Sequence, residues 1–149
     1  MKGKSLLISS LLAAACAALS IPALAEEQFV GSAVCGECHQ KEHERWLGSH
    51  HDLAMQEPNA DSVLGDFNDA TFEYNGFTSR FYRSGDKYMV RTDGADGEPA
   101  DFEVAYVFGV YPLQQYLLPL SNGRLQSLSI AWDARPQSEG GQRWYHLHP

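Results

Sequence analysis

The sequence predicts an α+β fold, in which a short helical segment is followed by a mostly antiparallel β-sheet domain. The first observation is a change of pattern near Pro58, because strong helix formers such as KEHERWL lie before it and aromatic and β-branched residues are frequent after it. The second is a series of apolar and polar alternations that turn signals separate. We therefore expect residues 26–58 to be helical and residues 59–149 to form the β-rich domain.

The N-terminal residues have the pattern of a secretory signal peptide. Lys2 and Lys4 precede an apolar run over residues 6–23, and Ala23-Leu24-Ala25 fits the small-x-small site of signal peptidase. We therefore predict cleavage after residue 25, a periplasmic or otherwise exported location, and no stable membrane insertion after cleavage. The alternative is that the apolar run remains as a membrane anchor, for which it is on the short side.

The predicted mature chain is small and acidic. Removing residues 1–25 from 149 leaves 124 residues, which is the size of one small domain. Two lysines and no acidic residue are lost, so 9 Lys and Arg remain against 19 Asp and Glu, a net charge of −10. A chain this acidic is repelled by phosphate backbones, so we expect no nucleic-acid partner.

The first part of the mature chain is predicted as helix over residues 32–56. Ser32 is a suitable N-cap at the start of a run of good helix formers. Gly48 interrupts the run, and Pro58 ends the region because proline cannot continue a helix. The segment that carries the cysteines is therefore expected to be helical.

The second part is predicted as about six short strands, mostly antiparallel. Asn75-Gly76 is a tight-turn signal between two stretches rich in aromatic and β-branched residues. Ser84-Gly85-Asp86 is a second hairpin signal, between residues 81–83 and residues 87–92. Two hairpins are therefore expected at the start of the β-rich domain.

Alternation of side chains predicts the remaining strands. Residues 102–108 read as one strand, because Val104 and Tyr106 share one face and Val107 lies on the other. The other predicted elements are a strand or short helix over residues 113–120, a strand over residues 125–132 and a last strand over residues 142–147.

Two cysteines remain in the predicted mature chain, and a histidine follows the second. Cys35, Cys38 and His39 form C-x-x-C-H, which in an exported chain is the attachment signal for c-type haem. On a helical turn the two thiols face the same porphyrin edge and form thioethers with its vinyl groups, and His39 points its imidazole at the iron. A disulfide between cysteines this close would stabilise the fold little, because it closes a very short loop. We therefore predict covalent haem c, with its iron, as the cofactor.

Two alternatives for the cysteines stay open. A redox-active dithiol uses C-x-x-C at the start of a helix that follows a strand, whereas these cysteines precede every predicted strand. A zinc site needs four ligands. The candidate zinc ligands are Cys35, Cys38 and two of His43, His50 and His51. In either case the chain would be an interaction module without haem.

The second axial ligand of the iron is predicted to be His51, with His50 and Met55 as further candidates. His43 lies one helical turn after His39 on the same face, so in a regular helix it cannot reach the opposite side of the same haem. A straight helix would hold His51 about 18 Å from His39, so His51 binds the same iron only if the chain folds back, and otherwise serves another haem. The alternative for His50 and His51 is a solvated pair at the helix end.

Several motifs resemble a known family. Gly31-Ser32, the C-x-x-C-H, Trp46-x-x-Ser49-x-His51 and Ala54-Met55 resemble the multihaem cytochrome c family of the c-552/c-554 type, which includes relatives with tetratricopeptide repeats. The stretches FGVYPLQQYLLPL, GRLQSLSIAWD and GGQRWYHLHP are similar to the region that follows the first haem motif in that family. The resemblance covers nearly all of the mature chain.

The resemblance implies a role for each motif. His39 would be a proximal ligand, His51 a distal ligand that often serves a neighbouring haem, and Trp46 would pack near the porphyrin. The family carries electrons in the periplasm. This chain has one C-x-x-C-H where the family has several, so we expect an N-terminal single-haem portion of a longer protein or a reduced one-haem member. Expected partners are redox proteins and, in a longer chain, further haem modules.

The predicted function is electron transfer rather than catalysis. Two histidine ligands leave no position for a substrate on the iron, and the sequence has no specific nucleophile–base pair, phosphate loop or acid–base carboxylate pair. The alternative is an open iron position that supports redox catalysis or binds small gases. His146 and His148 alternate on the last predicted strand, where we expect a surface pair rather than metal or haem ligands.

Overall fold

The structure, a computed structural model, describes residues 29–94 and 96–148. The predicted signal peptide lies outside the described residues. Within them the chain forms ten strands, all in antiparallel pairs, and two short α-helices, neither of which is long and apolar enough to cross a membrane. The elements are α1 (Ser32–Gly36), α2 (Gln40–Trp46), β1 (Met55–Gln56), β2 (Ala70–Tyr74), β3 (Phe77–Ser84), β4 (Lys87–Asp93), β5 (Pro99–Glu103), β6 (Tyr106–Phe108), β7 (Leu113–Pro119), β8 (Leu125–Ser127), β9 (Ile130–Asp133) and β10 (Arg143–His146).

The predicted α+β fold, with a helical haem segment over residues 26–58, is wrong. The described chain is mostly antiparallel β-sheet, and only α1 and α2 are helical in that segment. The backbone leaves the helical region at His39, with φ −117° and ψ 46°, and again at Gly48, with φ +70°. The segment ends in β1, which pairs with β6. Helix propensity did not decide this segment, because helices this short are not stable by themselves and the strand pairing competes.

A four-stranded sheet contains β2, β3, β4 and β5 in that order. Asn75 and Gly76, between β2 and β3, have φ +50° and +77°, as a type I′ turn requires. Tyr74 pairs with Phe77 across this turn, and β3 and β4 pair in the same way across the turn that contains Gly85. Both predicted hairpins are therefore confirmed.

A six-stranded sheet has the order β1, β6, β7, β9 and β10, and β8 also pairs with β7. β7 accounts for the ambiguous residues 113–120, which form a strand rather than a helix. β8 and β9 pair with different parts of β7, since Ser127 lies opposite Leu117 and Trp132 lies opposite Gln114. The single strand predicted over residues 125–132 is therefore wrong, because the chain breaks between β8 and β9 to cover β7 in two pieces.

The chain crosses from one sheet to the other between β5 and β6. The amide of Val104 donates to a carbonyl of the four-stranded sheet and the amide of the next residue donates to a carbonyl of the six-stranded sheet, both at 2.9 Å. The single strand predicted over residues 102–108 is therefore wrong. The crossing also changes which side chains face inward, because Val104 and Val107 are both buried whereas Tyr106 is exposed.

The inner faces of the two sheets pack into one hydrophobic core. Phe67, which precedes β2, contacts four aromatic rings edge-on, with centroid distances from 5.1 to 5.8 Å. These rings belong to Phe81, Tyr88, Tyr116 and Trp144. Phe81 and Trp144 come from different sheets and stack at 3.6 Å, so aromatic contacts join the sheets directly.

Residues 57–69 form the connector between β1 and β2, and the side chain of a buried glutamine on β7 makes hydrogen bonds to it. The Gln114 side-chain nitrogen donates to the carbonyl oxygens of Ser62 and Gly109, at 2.8 and 3.2 Å. Its oxygen accepts from the Leu64 amide and the Tyr116 hydroxyl, at 2.9 and 2.8 Å. Burial raises the pKa of Tyr116, so this hydroxyl stays protonated and donates. All four hydrogen bonds that a glutamine side chain can make are therefore formed inside the protein.

Candidate haem-attachment site

Cys35, Cys38 and His39 lie on one exposed hydrogen-bonded turn at the end of α1. The amide of His39 donates to the carbonyl oxygen of Cys35 at 2.9 Å, and the amide of Cys38 lies 3.3 Å from the same oxygen. Both cysteines are exposed free thiols, and the His39 residue is exposed as well. This stretch therefore presents two thiols and an imidazole to the outside within a single turn of backbone.

His43 packs α1 against α2 beside this turn. Its Nε2 lies 3.3 Å from the Oγ of Ser32, and its ring stacks on Trp46 with the centroids 6.0 Å apart. A Cβ added at Gly36 would lie 2.8 Å from the Nδ1 of His43. The glycine between the two cysteines therefore leaves the space that the His43 ring occupies.

The Trp46-x-x-Ser49-x-His51 stretch forms a hydrogen-bonded turn instead of further helix. The amide of Gly48 donates to the Asp52 carboxylate at 2.8 Å, and the amide of Asp52 lies 3.3 Å from the Oγ of Ser49. Sequence reasoning missed this role of Asp52, although Ser-x-x-Asp has the spacing of a capping box. Trp46 is half-buried and His51 is exposed.

One backbone hydrogen bond joins the end of this turn to the six-stranded sheet. The amide of Gly109 donates to the carbonyl oxygen of Ala54 at 2.8 Å. Met55 follows on β1 and lies directly opposite Phe108 on β6, and both side chains are exposed on the outer face of the sheet. The cysteine-bearing segment is thus attached to the β-domain at its edge strand.

The segment over residues 31–54, here called the attachment segment, has little core of its own. Neither α1 nor α2 contains a buried residue. Val34 and Leu47 are 49% and 52% exposed, although both are apolar. Small units usually need a cofactor, metal or disulfide to supply the burial that their own side chains do not. The accessible thiols and the histidine are a donor set that fits a covalently bound haem. The exposed apolar side chains offer a surface for a porphyrin to pack against.

The predicted iron ligands do not form a metal cluster with their neighbours. Within residues 29–94 and 96–148, no three His, Cys, Asp or Glu side chains come close enough together to hold a metal ion. His39 and His51 lie on either side of α2, one before it and one in the turn after it. The zinc alternative needs four such ligands around one ion and has no assembled site in this part of the chain.

Comparisons with known sequences and structures identify no relative of this chain. The chain matches no protein-family model, no curated protein sequence and no solved structure.

Proposed function

We propose that this chain binds haem c covalently through Cys35 and Cys38 and transfers electrons. The observation that carries the proposal is the presence of two exposed free thiols and an exposed histidine on one turn of backbone. The attachment segment around them has exposed apolar side chains and no buried residue in its helices. A bound porphyrin is a large apolar surface that such a segment can cover and pack against.

Each side chain of the site has a separate task in this proposal. Cys35 and Cys38 would hold the haem covalently through thioethers, and His39 would bind its iron. Trp46, at the end of α2, offers an aromatic face for packing. When bound, haem supplies a one-electron redox centre, and the protein sets its potential through ligands, burial and hydrogen bonds.

We propose His51 as the second side chain that would bind the iron. The turn formed by Gly48 and Asp52 replaces the straight helix that would hold His51 about 18 Å from His39. Two imidazoles close the iron to substrates, which suits electron transfer. Whether His51 serves this haem or a neighbouring one is decided by the experiment below.

An open iron position, with redox catalysis or gas binding, is the second candidate function. The observation that favours it concerns His51, whose side chain is exposed and makes no hydrogen bond to any described residue. Ligating imidazoles are normally oriented by a hydrogen bond from the second ring nitrogen. An unoriented His51 would leave the sixth position to water or a small ligand.

The same proposal covers family, location and partners. The chain would be a single-haem portion of a multihaem cytochrome of the c-552/c-554 type, exported to the periplasm. Its electrons would pass to redox proteins or to further haem modules. The acidic surface, with 19 Asp and Glu against 11 Lys and Arg in the full chain, suits basic redox partners.

Optical spectroscopy of the periplasmically expressed protein tests the proposal. We expect covalent haem on denaturing gels in the wild type and none in Cys35→Ala/Cys38→Ala. We expect low-spin bands that become high-spin in His51→Ala and stay low-spin in the matched variant His50→Ala. High-spin haem in the wild type would favour the open position, and absence of covalent haem would overturn the whole proposal.

A further inference from the structure

A polar cavity of about 390 Å³ is lined by residues of both sheets and by no cysteine. Residues from β2, β3, β4, β9 and β10 contribute to it, together with the residue that follows β10 by two positions. Its lining includes two imidazoles, a carboxylate and two aromatic rings. The residues that carry the argument are Tyr74, Asp93, His146 and His148.

The His146 ring stacks on the ring of Tyr74. The two rings stack with centroids 3.9 Å apart and planes inclined by 8°. The Tyr74 hydroxyl also donates to the backbone carbonyl oxygen of His148 at 2.6 Å. One tyrosine of the four-stranded sheet therefore positions both the ring of His146 and the backbone beyond β10.

The hydrogen bonds of His146 use one ring nitrogen and leave the other. The amide of His148 donates to Nδ1 at 3.0 Å when Nδ1 carries no proton. When Nδ1 carries the proton, it donates instead to the carbonyl oxygen of the same residue, at 2.8 Å. Only the tautomer with the proton on Nδ1 leaves a lone pair on Nε2, so metal binding selects this tautomer at the expense of the hydrogen bond from the His148 amide. No described residue makes a hydrogen bond to this Nε2. A backbone carbonyl on one nitrogen and a free second nitrogen is the arrangement of a metal-binding histidine.

The second imidazole lies at a distance that suits a shared ion. The ring centroids of His146 and His148 are 6.1 Å apart, with planes inclined by 66°. A metal ion bound at about 2.1 Å by one nitrogen of each ring separates the two centroids by roughly 4.6 Å at a 90° angle at the metal and roughly 6.4 Å at 180°. His148 is exposed, so its ring is free to adjust.

We propose that His146 and His148 bind a single divalent transition-metal ion, separate from the haem site. Imidazole is a borderline ligand that favours Cu²⁺, Ni²⁺ and Zn²⁺ over Mg²⁺ or Ca²⁺. Asp93 lines the same cavity and adds negative charge on the side of the four-stranded sheet. Among the described residues no third His, Cys, Asp or Glu joins this pair in a group that could hold a metal ion, so in this proposal water fills the remaining positions and the ion is exchangeable rather than structural.

Metal titration of the untagged full chain tests this site. The background is Cys35→Ser/Cys38→Ser, because free thiols would bind the same metals. We expect one Ni²⁺ per chain by calorimetry, with Cu²⁺ bound more tightly than Ni²⁺ and Zn²⁺. Variants His148→Ala and His146→Phe should each weaken binding at least about tenfold. The phenylalanine keeps a ring stacked on Tyr74, so loss of binding there does not come from loss of the fold.

Two matched measurements complete the test. The control His50→Ala/His51→Ala removes the other exposed histidine pair and should leave the affinity unchanged. The electron paramagnetic resonance spectrum of bound Cu²⁺ should show coupling to two imidazole nitrogens, and to one in His148→Ala. Unchanged affinity in His146→Phe, loss of binding in the His50/His51 control, or no binding of any of the three metals would overturn the proposal. None of these outcomes depends on haem, so the haem proposal stands or fails separately.

Discussion

Gly36 lies against the imidazole of His43, and a Cβ at position 36 would come within 2.8 Å of Nδ1. Gly36 lies between the two cysteines at the end of α1, and His43 lies on α2, so this contact joins the two helices. Real Cβ atoms essentially never approach so closely, so a side chain at position 36 displaces the His43 ring.

The variant Gly36→Ala should therefore change the attachment segment without changing the β-domain. We expect the His43 ring to lose its contact with Ser32 and its stack on Trp46, while global stability changes by less than about 1 kcal/mol, since neither helix contains a buried residue. Two-dimensional amide NMR checks this through shifts confined to residues 31–54. Shifts spread across the two sheets would contradict the expectation.

The variant Gln114→Leu should destabilise the whole domain. It leaves the Leu64 amide, the Tyr116 hydroxyl and two carbonyl oxygens without their partner in a buried site. We expect a loss of roughly 2–5 kcal/mol in the free energy of unfolding, measured by urea denaturation. Gln126→Leu is the matched control, because Gln126 is exposed and its side chain donates only to a neighbouring carbonyl. Equal losses in the two variants would contradict the structural role of Gln114.

The variant Gly65→Ala should be destabilising for a steric reason. An added Cβ would overlap the Tyr116 hydroxyl and the Trp144 ring, both of which are held in the core. We expect a loss of about 1–3 kcal/mol in the free energy of unfolding. Asp61→Ala, on the exposed part of the same connector, is the control and should be close to neutral. Thermal and urea unfolding of both proteins measure the difference.

Asp133 should make folding sensitive to acid. Hydrogen bonds from the Arg135 guanidinium, at 3.0 and 2.7 Å, lower the pKa of Asp133 from 3.8 to about 2. Because the carboxyl binds its proton more readily in the unfolded chain, its stabilisation is complete above about pH 4 and is lost as the pH falls toward 2. Asp133→Asn should therefore be less stable than the wild type at pH 7 and should lose less on acidification.

Urea midpoints measured between pH 7 and pH 2 check this expectation. The control is Asp86→Asn, in the exposed turn between β3 and β4, whose curve should follow that of the wild type. An identical pH dependence for Asp133→Asn and the wild type would mean that the ion pair with Arg135 does not contribute.

Local signals predicted those parts of the fold that close over a few residues. Asn75-Gly76 determines its hairpin because the turn requires two positive φ angles and these residues adopt them at low cost. The C-x-x-C-H spacing likewise determines that both thiols and His39 share one turn. Each of these features depends on backbone torsions of adjacent residues, which the sequence specifies directly.

Features that depend on distant partners were not predictable in this way. The alternation over residues 102–108 is regular, yet the chain changes sheets at Val104 because its amide and the next one bond to different sheets. The run of helix formers does form α2, but the rest of the segment before Pro58 ends in β1, which pairs with β6. Nothing near Gln114 in the sequence marks it as the anchor of a connector some fifty residues earlier.

By itself, then, the sequence determined the hairpins and the cysteine turn, because these follow from neighbouring residues, whereas covalent haem on that turn stays a prediction. Only the tertiary structure decided that the fold is mostly antiparallel β-sheet, that the attachment segment lacks a core, and that Tyr74 meets His146. The physical reason is that burial and strand pairing depend on contacts between residues far apart in the chain. Several such pairings compete, and a local sequence pattern does not show which one is most stable.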